Sequence, residues 1–547
     1  MKSTIFSISN LDSFNSDNLK SYLKIATKWF IEPFTKSNHS RGLFCIGLAL
    51  LIAYCYVLAL AHFYLYYDYS LTKVFLKALI AIPIVVIIVR LVREIRFKEI
   101  ERSNKISLLF GLIFGALTFC ISFIWQLAYW PGSFSYDSIF QYSQAVSGSY
   151  NNWHPIIHTL LFFKLPLSLY NEPSFIITYQ IFLFSLAVGF LFFTLYKFGF
   201  NIILCIVAWC FIALNPNTNL VMLFPWKDSA FSISSLVLFT FLIYLIKSKG
   251  AWSSKILPWV LFGILAFLTN SVRHNAILLI FPIFLILFAC IKFYRRKIVI
   301  SFAIFLSLTF GAKHLIPCLF NAGYGETPKI ELLGMPMTIL CDEYKYSPNS
   351  LSKDANEFME SIATKEDWKH YSSGSFNTLK AYSEQLYKVN QSNDIFSYIM
   401  NIDKSGYDVG IKAFLRLTAQ VWAVNKKEPW QNYTQIIKND FGIGYISSKI
   451  FKIYYFEIYK FKIFNSKLKF AFGYLGIMIL ILMFLAASKV GKSDIVPILL
   501  VFSPLAYDFG TMLLLSGEDQ RFFHFTFIVI LPLMFMIIST RQKACCS

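Results

Sequence analysis

Ser107-Leu-Leu-Phe-Gly-Leu-Ile-Phe-Gly-Ala-Leu-Thr-Phe-Cys-Ile-Ser-Phe-Ile-Trp-Gln-Leu-Ala-Tyr129 runs 23 residues without a charged side chain. A bilayer core needs about 20 consecutive apolar residues per helical span, so this run reads as a membrane span. A concentrated polar stretch follows it: Pro131-Gly-Ser-Phe-Ser-Tyr-Asp137-Ser-Ile-Phe-Gln141, continuing to Trp153-His154-Pro155-Ile-Ile-His158-Thr159. The next long apolar segment, at about 174–195, closes the unit. The rest of the chain reads as a scaffold that holds this polar loop between spans.

The whole composition agrees. The 547 residues are 56% hydrophobic and 15% charged, against about 25% charged in an ordinary soluble protein. The apolar runs are continuous and do not alternate by twos, which excludes a β-barrel. A net charge of +20 could suggest nucleic acid, but the Lys and Arg residues flank apolar runs. There they set membrane orientation and meet anionic headgroups, so membrane lipids are expected partners and nucleic acid is not. Cys45, Cys55, Cys120, Cys205, Cys210 and Cys290 lie inside apolar runs as small packing residues, without metal-site spacing.

Residues 1–42 hold Lys20, Lys24, Lys28, Lys36 and Arg41, which places this retained segment in the cytoplasm. Spans are expected at about 43–67, 74–92, 107–129, 174–195, 201–216, 229–246, 256–271, 275–291, 298–316, 470–488, 494–515 and 521–540. Arg93-Glu-Ile-Arg96-Phe-Lys98 and Arg102 fall on a cytoplasmic turn, as do Lys197, Lys247 and Arg295-Arg-Lys297. The fold class is therefore an all-α polytopic membrane protein of about 12 transmembrane helices. Its core covers 43–316, with an outer loop at 130–173. Residues 317–468 form an inserted, mostly helical extracytoplasmic domain, in which 450–464 reads as strand or as a segment on the headgroups. The C-terminal spans cover 469–540 and a cytoplasmic tail 541–547. Within the outer loop, His158 to Tyr170 is apolar but short and reads as an interfacial helix.

Sorted by side, the unusual polar residues gather at the outer ends of the spans. They are Asp137, Gln141, His154 and His158, then Lys227 and Asp228, then Arg273, His274 and Asn275, and finally Glu518, Asp519, Gln520, Arg521 and His524. Ionisable groups in a span cost roughly 2.5–3.5 kcal/mol at the bilayer centre and less toward its surface. Taken singly, each has an ordinary reading. Asp137 could cap a helix that begins at Ser138, Lys227 and Asp228 could pair locally, and Arg273 could anchor at headgroups. Their shared side and shared nearness to helix ends point to one polar cavity. An acidic residue there can act as general base on a hydroxyl, and adjacent cations can stabilise a departing phosphate. Cys318 and Cys341 fall on the same predicted side, where an oxidising compartment would permit a disulfide.

The chain resembles the multi-spanning GT-C glycosyltransferase superfamily, in particular its bacterial branch similar to dolichyl-phosphate-mannose mannosyltransferases. The resemblance is carried by Tyr136-Asp137-Ser-Ile-Phe-Gln141, Trp153-His154-Pro155-Ile-Ile-His158-Thr159, Trp226-Lys227-Asp228, Arg273-His274-Asn275, Ile330-Glu331-Leu-Leu-Gly-Met-Pro336 and Gln520-Arg521. It implies an inverting transferase that takes a sugar from a polyprenyl-phosphate donor to a lipid- or glycan-linked acceptor. The site would face outward from a bacterial cytoplasmic membrane. Asp137 would be the catalytic residue, with Lys227, Arg273 and Arg521 on phosphate or glycan and His154 positioning the loop or acceptor. His158, Gln141, Asp228, His274 and Asn275 would complete the substrate-binding set. No cofactor is required; Asp137 lacks an Asp-x-Asp partner, since Tyr136 and Ser138 flank it, and a divalent cation stays open. A lipid-linked glycan polymerase or ligase and a transporter or flippase are the competing readings.

Overall fold

The computed structural model describes residues 101–538 apart from 152, 249–251, 321–332, 381, 384, 389–392, 423–433, 468–474, 490–494 and 518–519. The spans expected at 43–67 and 74–92, both terminal segments, Ile330, Glu331, Glu518 and Asp519 lie outside the described residues. What is described is helical, with isolated β-bridges and no strand among the described residues.

In chain order the bundle begins with α1 (Asn104–Ala128), the short α2 (Tyr136–Ser147) and the apolar α3 (Ile156–Leu169). It continues with α4 (Pro173–Lys197), α5 (Ile202–Ala213), α6 (Pro216–Met222), α7 (Lys227–Lys247), α8 (Leu257–Ser271), α9 (Ile277–Cys290) and α10 (Arg295–Leu319). Then come α11 (Gly334–Tyr346), α12 (Lys353–Ile362), α13 (Lys365–Lys369), α14 (Phe376–Lys380), α15 (Asn393–Met400) and α16 (Tyr407–Trp422). The last helices are α17 (Lys449–Lys467), α18 (Leu475–Lys489), α19 (Ile495–Leu500), α20 (Phe502–Met512) and α21 (His524–Ile538).

Among the described residues, five helical stretches are long and apolar enough to cross a bilayer: α1, α4, α7, α10 with its preceding turn, and Arg521–Ile538. The count is six if α5 and α6, bent by 53° at their junction, make one span. The break is chemical. Asn215 caps α6 by accepting from the Asn217 N–H at 2.9 Å, and Pro216 at the first helical position has no N–H to continue α5. The remaining apolar helices α3, α8, the His274–Cys290 stretch and Ile498–Met512 are shorter.

α1 and α4 lie against each other through small residues. Gly111 and Gly115 are four apart, a spacing that lets two helix backbones approach closely. A Cβ on Gly111 would stand 2.7 Å from the Gly189 carbonyl oxygen and 2.8 Å from Phe193 Cβ, whereas one on Gly115 would stand 3.0 Å from the Ser185 carbonyl. Backbone atoms cannot step aside cheaply, so Gly111→Ala is expected to cost about 1–3 kcal/mol by overpacking and Gly115→Ala less. Thermal unfolding of the two variants in detergent micelles measures the difference, and equal melting temperatures would refute the close-packing assignment.

Residues 333–402 build a core of their own around Met337, Leu340, Phe358, Ile362, Phe376 and Leu379. Leu417 and Val421 of α16, by contrast, belong to the bundle core, as do Ile443 and Ile458. The stretch 450–464, where strands were an option, is helical within α17, which packs along α1. Cys318 and Cys341 do not form the disulfide that their predicted side permits. Both are free thiols, because Cys341 is sealed in the 333–402 core while Cys318 is exposed near the end of α10.

Candidate functional site

Two carboxylates define the site, and each sits in the first turn of a helix, where unsatisfied N–H groups favour negative charge. For Asp137 the cap is Ser135, whose Oγ accepts the Ser138 N–H at 3.4 Å. The alternative in which Asp137 itself caps a helix starting at Ser138 is therefore corrected: capping is done by Ser135, and the Asp137 carboxylate is left to face the site. Ser135 Oγ also accepts the Trp226 indole N–H at 2.7 Å, which joins the start of α2 to the start of α7. Asp228 lies in the first turn of α7 and is buried.

The loop before Asp137 is tied down along its length. Gln126 donates to the Pro131 and Ser174 carbonyls at 3.0 and 2.8 Å, and the Ser133 N–H donates to the Leu223 carbonyl at 3.0 Å. The Phe134 N–H donates to the Gln435 carbonyl at 2.8 Å and its carbonyl accepts from Ile437 at 3.0 Å. Gly132, at φ +137°, is the one position in this loop that an L side chain would strain, and a Cβ there would meet Ile177 at 2.5 Å.

Arg521 links the two carboxylates. Its Nη1 lies 3.4 Å from Asp137 Oδ2 and its Nε 3.5 Å from Asp228 Oδ2, and its guanidinium rests over the Trp226 ring at 4.7 Å. Arg273 engages Asp228 Oδ1 directly. It is held between the Phe522, Tyr507 and Phe231 rings at 5.0, 5.6 and 5.7 Å. Asn275 fixes it further, accepting from Arg273 Nε at 2.7 Å and donating to Thr511 Oγ1 at 2.9 Å. Lys227 Nζ lies 3.5 Å from His154 Nδ1, and the contacts of Asp228 run to Arg273 and Arg521.

Exposure separates the roles. The Asp137 side chain is 37% exposed and that of Arg521 17%, whereas those of Arg273 and Asp228 are 6% and 1% exposed. Solvent therefore reaches Asp137 and, to a lesser extent, Arg521, while Arg273 and Asp228 lie behind them. Burial alone would raise the Asp137 carboxyl, but Arg521, followed by His154, Lys227 and Lys380, holds it below its ordinary value. His154, whose Nε2 is 4.0 Å from Asp137 Oδ1, is pushed down to about 3 by burial and then by Lys227. It is a neutral imidazole at physiological pH.

This has a consequence for acid stability. Unfolded, His154 has its ordinary value of 6.5, so between that pH and about 3 the unfolded chain binds a proton that the folded chain refuses. Stability falls as pH drops through that window. Asp137, whose folded value is lowered, adds loss of the same sign as pH falls through its ordinary value of 3.8 and below. His154→Gln is expected to flatten the decline between pH 6.5 and 4, read as melting temperature against pH, and an unchanged profile would contradict the buried neutral state.

The other expected site residues divide. Gln141 and His158 face inward, with Gln141 Nε2 donating to His158 Nδ1 at 2.8 Å and to Thr159 Oγ1 at 3.0 Å. They brace α2 against α3. Lys164 reaches back to the Ala145 carbonyl at 2.9 Å, which satisfies the C-terminal end of α2. His274 is exposed next to Arg273. His524 lies fully buried in the bundle, 3.0 Å from Ser232 Oγ, so it is a packed core histidine. Residues that sequence reasoning passed over are Trp226 and Phe522 as guanidinium platforms, Ser135 as the cap, and Lys380, whose charge reaches Asp137 from α14. α14 is seated at this end of the bundle by the Asn377 N–H, which donates to the Ser516 carbonyl at 2.7 Å. Among the described residues, no three of His, Cys, Asp and Glu group so as to hold a metal ion.

Lys247 ends α7 at the end opposite Asp228, and Arg102 and Lys197 meet at the ends of α1 and α4 away from the 130–173 loop. No protein-family model, curated protein or solved structure matches the chain.

Proposed function

We propose that this chain is a GT-C-type inverting glycosyltransferase of about twelve spans. It moves a sugar from a polyprenyl-phosphate donor to a cell-envelope glycan or lipid acceptor at the extracytoplasmic face of a bacterial cytoplasmic membrane. The observation that carries the reading is Arg521, which stands between the partly exposed Asp137 and the buried Asp228. A base and an anion-binding cation thus share one opening.

In this reading the acceptor hydroxyl gives its proton to Asp137 as its oxygen bonds to the sugar's anomeric carbon. The bond from that carbon to the phosphate oxygen breaks on the opposite face, and its electron pair leaves with the polyprenyl phosphate. One inversion results. Arg521 and Lys227 stabilise the charge that gathers on the leaving phosphate. The donor phosphate also competes for Arg521, and drawing that guanidinium off Asp137 makes the carboxylate more basic when the acceptor is present. Asp228, locked by Arg273, holds Arg521 at the place where the phosphate arrives.

The test is disruption of the gene in its own host, followed by mass spectrometry of envelope glycans and polyprenyl-phosphate sugars. Loss of one sugar increment with accumulation of one lipid donor is expected. Two unchanged profiles would overturn the transferase reading, and accumulation of a completed lipid-linked oligosaccharide would replace it with a polymerase or ligase.

A further inference from the structure

A second concavity lies at the same end of the bundle, where α1 meets α17. It encloses about 260 Å³, less than the roughly 300–1,000 Å³ of pockets that swallow a whole small ligand. Its walls are aromatic: Trp130 stacks on Phe451 with centroids 5.9 Å apart, and Tyr129 meets Tyr455 edge-on at 5.6 Å. Among the described residues of the lining, Lys452 is the one that is charged and none is acidic.

α17 tells what lies outside. Packed against the bundle through Ile458, it leaves Ile450, Ile453, Phe456 and Phe464 between 55% and 62% exposed. Interspersed with them on the outward side are the exposed Lys449, Lys452 and Lys460. Bare Ile and Phe in water would be costly, whereas at headgroup depth the rings and aliphatic side chains enter the apolar layer while Lys stems extend to phosphate. The charge excess of this helix, five Lys against one Glu, is of the sign that anionic headgroups attract.

We propose that this cavity seats one anionic phospholipid from the leaflet at the site end, its phosphate on Lys452 and the upper part of one acyl chain laid along the stacked Trp130 and Phe451 rings. The small volume takes only that part, and the rest of the lipid stays in the bilayer. The seat is mechanically close to the functional site. The Ile446 N–H donates to the Trp130 carbonyl at 3.1 Å, and Tyr445 Oη lies 3.4 Å from Ser133 Oγ. These contacts belong to the strap that holds the loop leading to Asp137, so lipid occupancy stiffens the presentation of that residue. The inference stands whether or not the site transfers sugars.

Native mass spectrometry of the full chain, released from detergent and titrated with phosphatidylglycerol or phosphatidylcholine, tests it. Wild type is expected to retain one phosphatidylglycerol at least about tenfold more tightly than phosphatidylcholine. Lys452→Glu, a change at an exposed position, should abolish that preference, Lys452→Arg should keep it, and Phe451→Ala should weaken retention of both lipids. Lys365→Glu on the 333–402 surface serves as the charge control. Equal retention by wild type and Lys452→Glu would overturn the proposal, as would a stable dimer whose formation is blocked by Trp130→Ala, because a second copy would then be the occupant.

Discussion

Asp137→Asn is expected to leave the chain folded and to lower sugar transfer by at least about 10²–10⁴-fold, the contribution of a positioned general base. The substitution keeps the size and one acceptor oxygen, and Ser135 still caps α2. Stability should change little. Asp137 is partly exposed, its ion pair with Arg521 is 3.4 Å long and its other neighbour, 4.0 Å away, is the neutral His154 ring, so loss of that one loose pair costs little. Arg521 also retains Asp228 as its second partner.

The kinetics distinguish a base from an anchor. If Asp137 takes the proton, kcat falls with KM for the donor nearly unchanged, because the interaction is realised only in the transition state. If its role is to hold Arg521 in place, donor KM rises and kcat stays. Measuring both in proteoliposomes that contain a radiolabelled polyprenyl-phosphate sugar separates the two, and full activity of the Asn variant removes Asp137 from the chemistry. Arg521→Lys should show the converse pattern. A compact ammonium keeps the charge but cannot span both carboxylates as the planar guanidinium does, so weaker donor binding is expected.

How much of this was legible in the sequence follows from what each signal measures. Continuous apolar length reads directly as a span, and α1, α4, α7, α10 and the Arg521–Ile538 stretch are the runs in which it is unbroken. Where length fails, local chemistry decides: Asn215-Pro216 breaks the chain between α5 and α6 by 53°, a bend that the apolar run expected as a span at 201–216 does not itself announce. The Gly111–Gly115 contact surface was legible as a spacing and was passed over. In the site, Asp137, Lys227, Asp228, Arg273 and Arg521 could be grouped because topology brings their helix ends to one side. Side-chain direction could not be read that way. Gln141 and His158 turn toward each other, and His524 turns into the bundle, through helical phase and packing that a list of polar residues does not contain. Lys380 was beyond reach, since only the docking of α14 on Ser516 places it near Asp137, and no local pattern announces that contact.

The second large effect concerns the pair beneath the opening. Asp228 and Arg273 are buried and in direct contact, so removing Asp228 leaves the Arg273 guanidinium buried without the carboxylate it directly engages. Asp228→Ala is expected to destabilise the protein by about 3–5 kcal/mol, seen as a large fall in melting temperature in detergent and poor recovery from the membrane. Restoring apolar contact tests whether the loss comes from the stranded charge. Because well-packed apolar residues commonly replace a buried ion pair without loss, Asp228→Leu combined with Arg273→Met should regain most of the stability, with the Phe522, Tyr507 and Phe231 rings closing on the methionine. Activity should not return, since Arg521 then has neither the Asp228 carboxylate nor the neighbouring guanidinium to fix its position. A double variant as unstable as Asp228→Ala would show that the pair is needed for the fold itself. One that is both stable and active would show that Arg521 is placed by Trp226 and Asp137 alone, and the buried pair would lose its part in the mechanism.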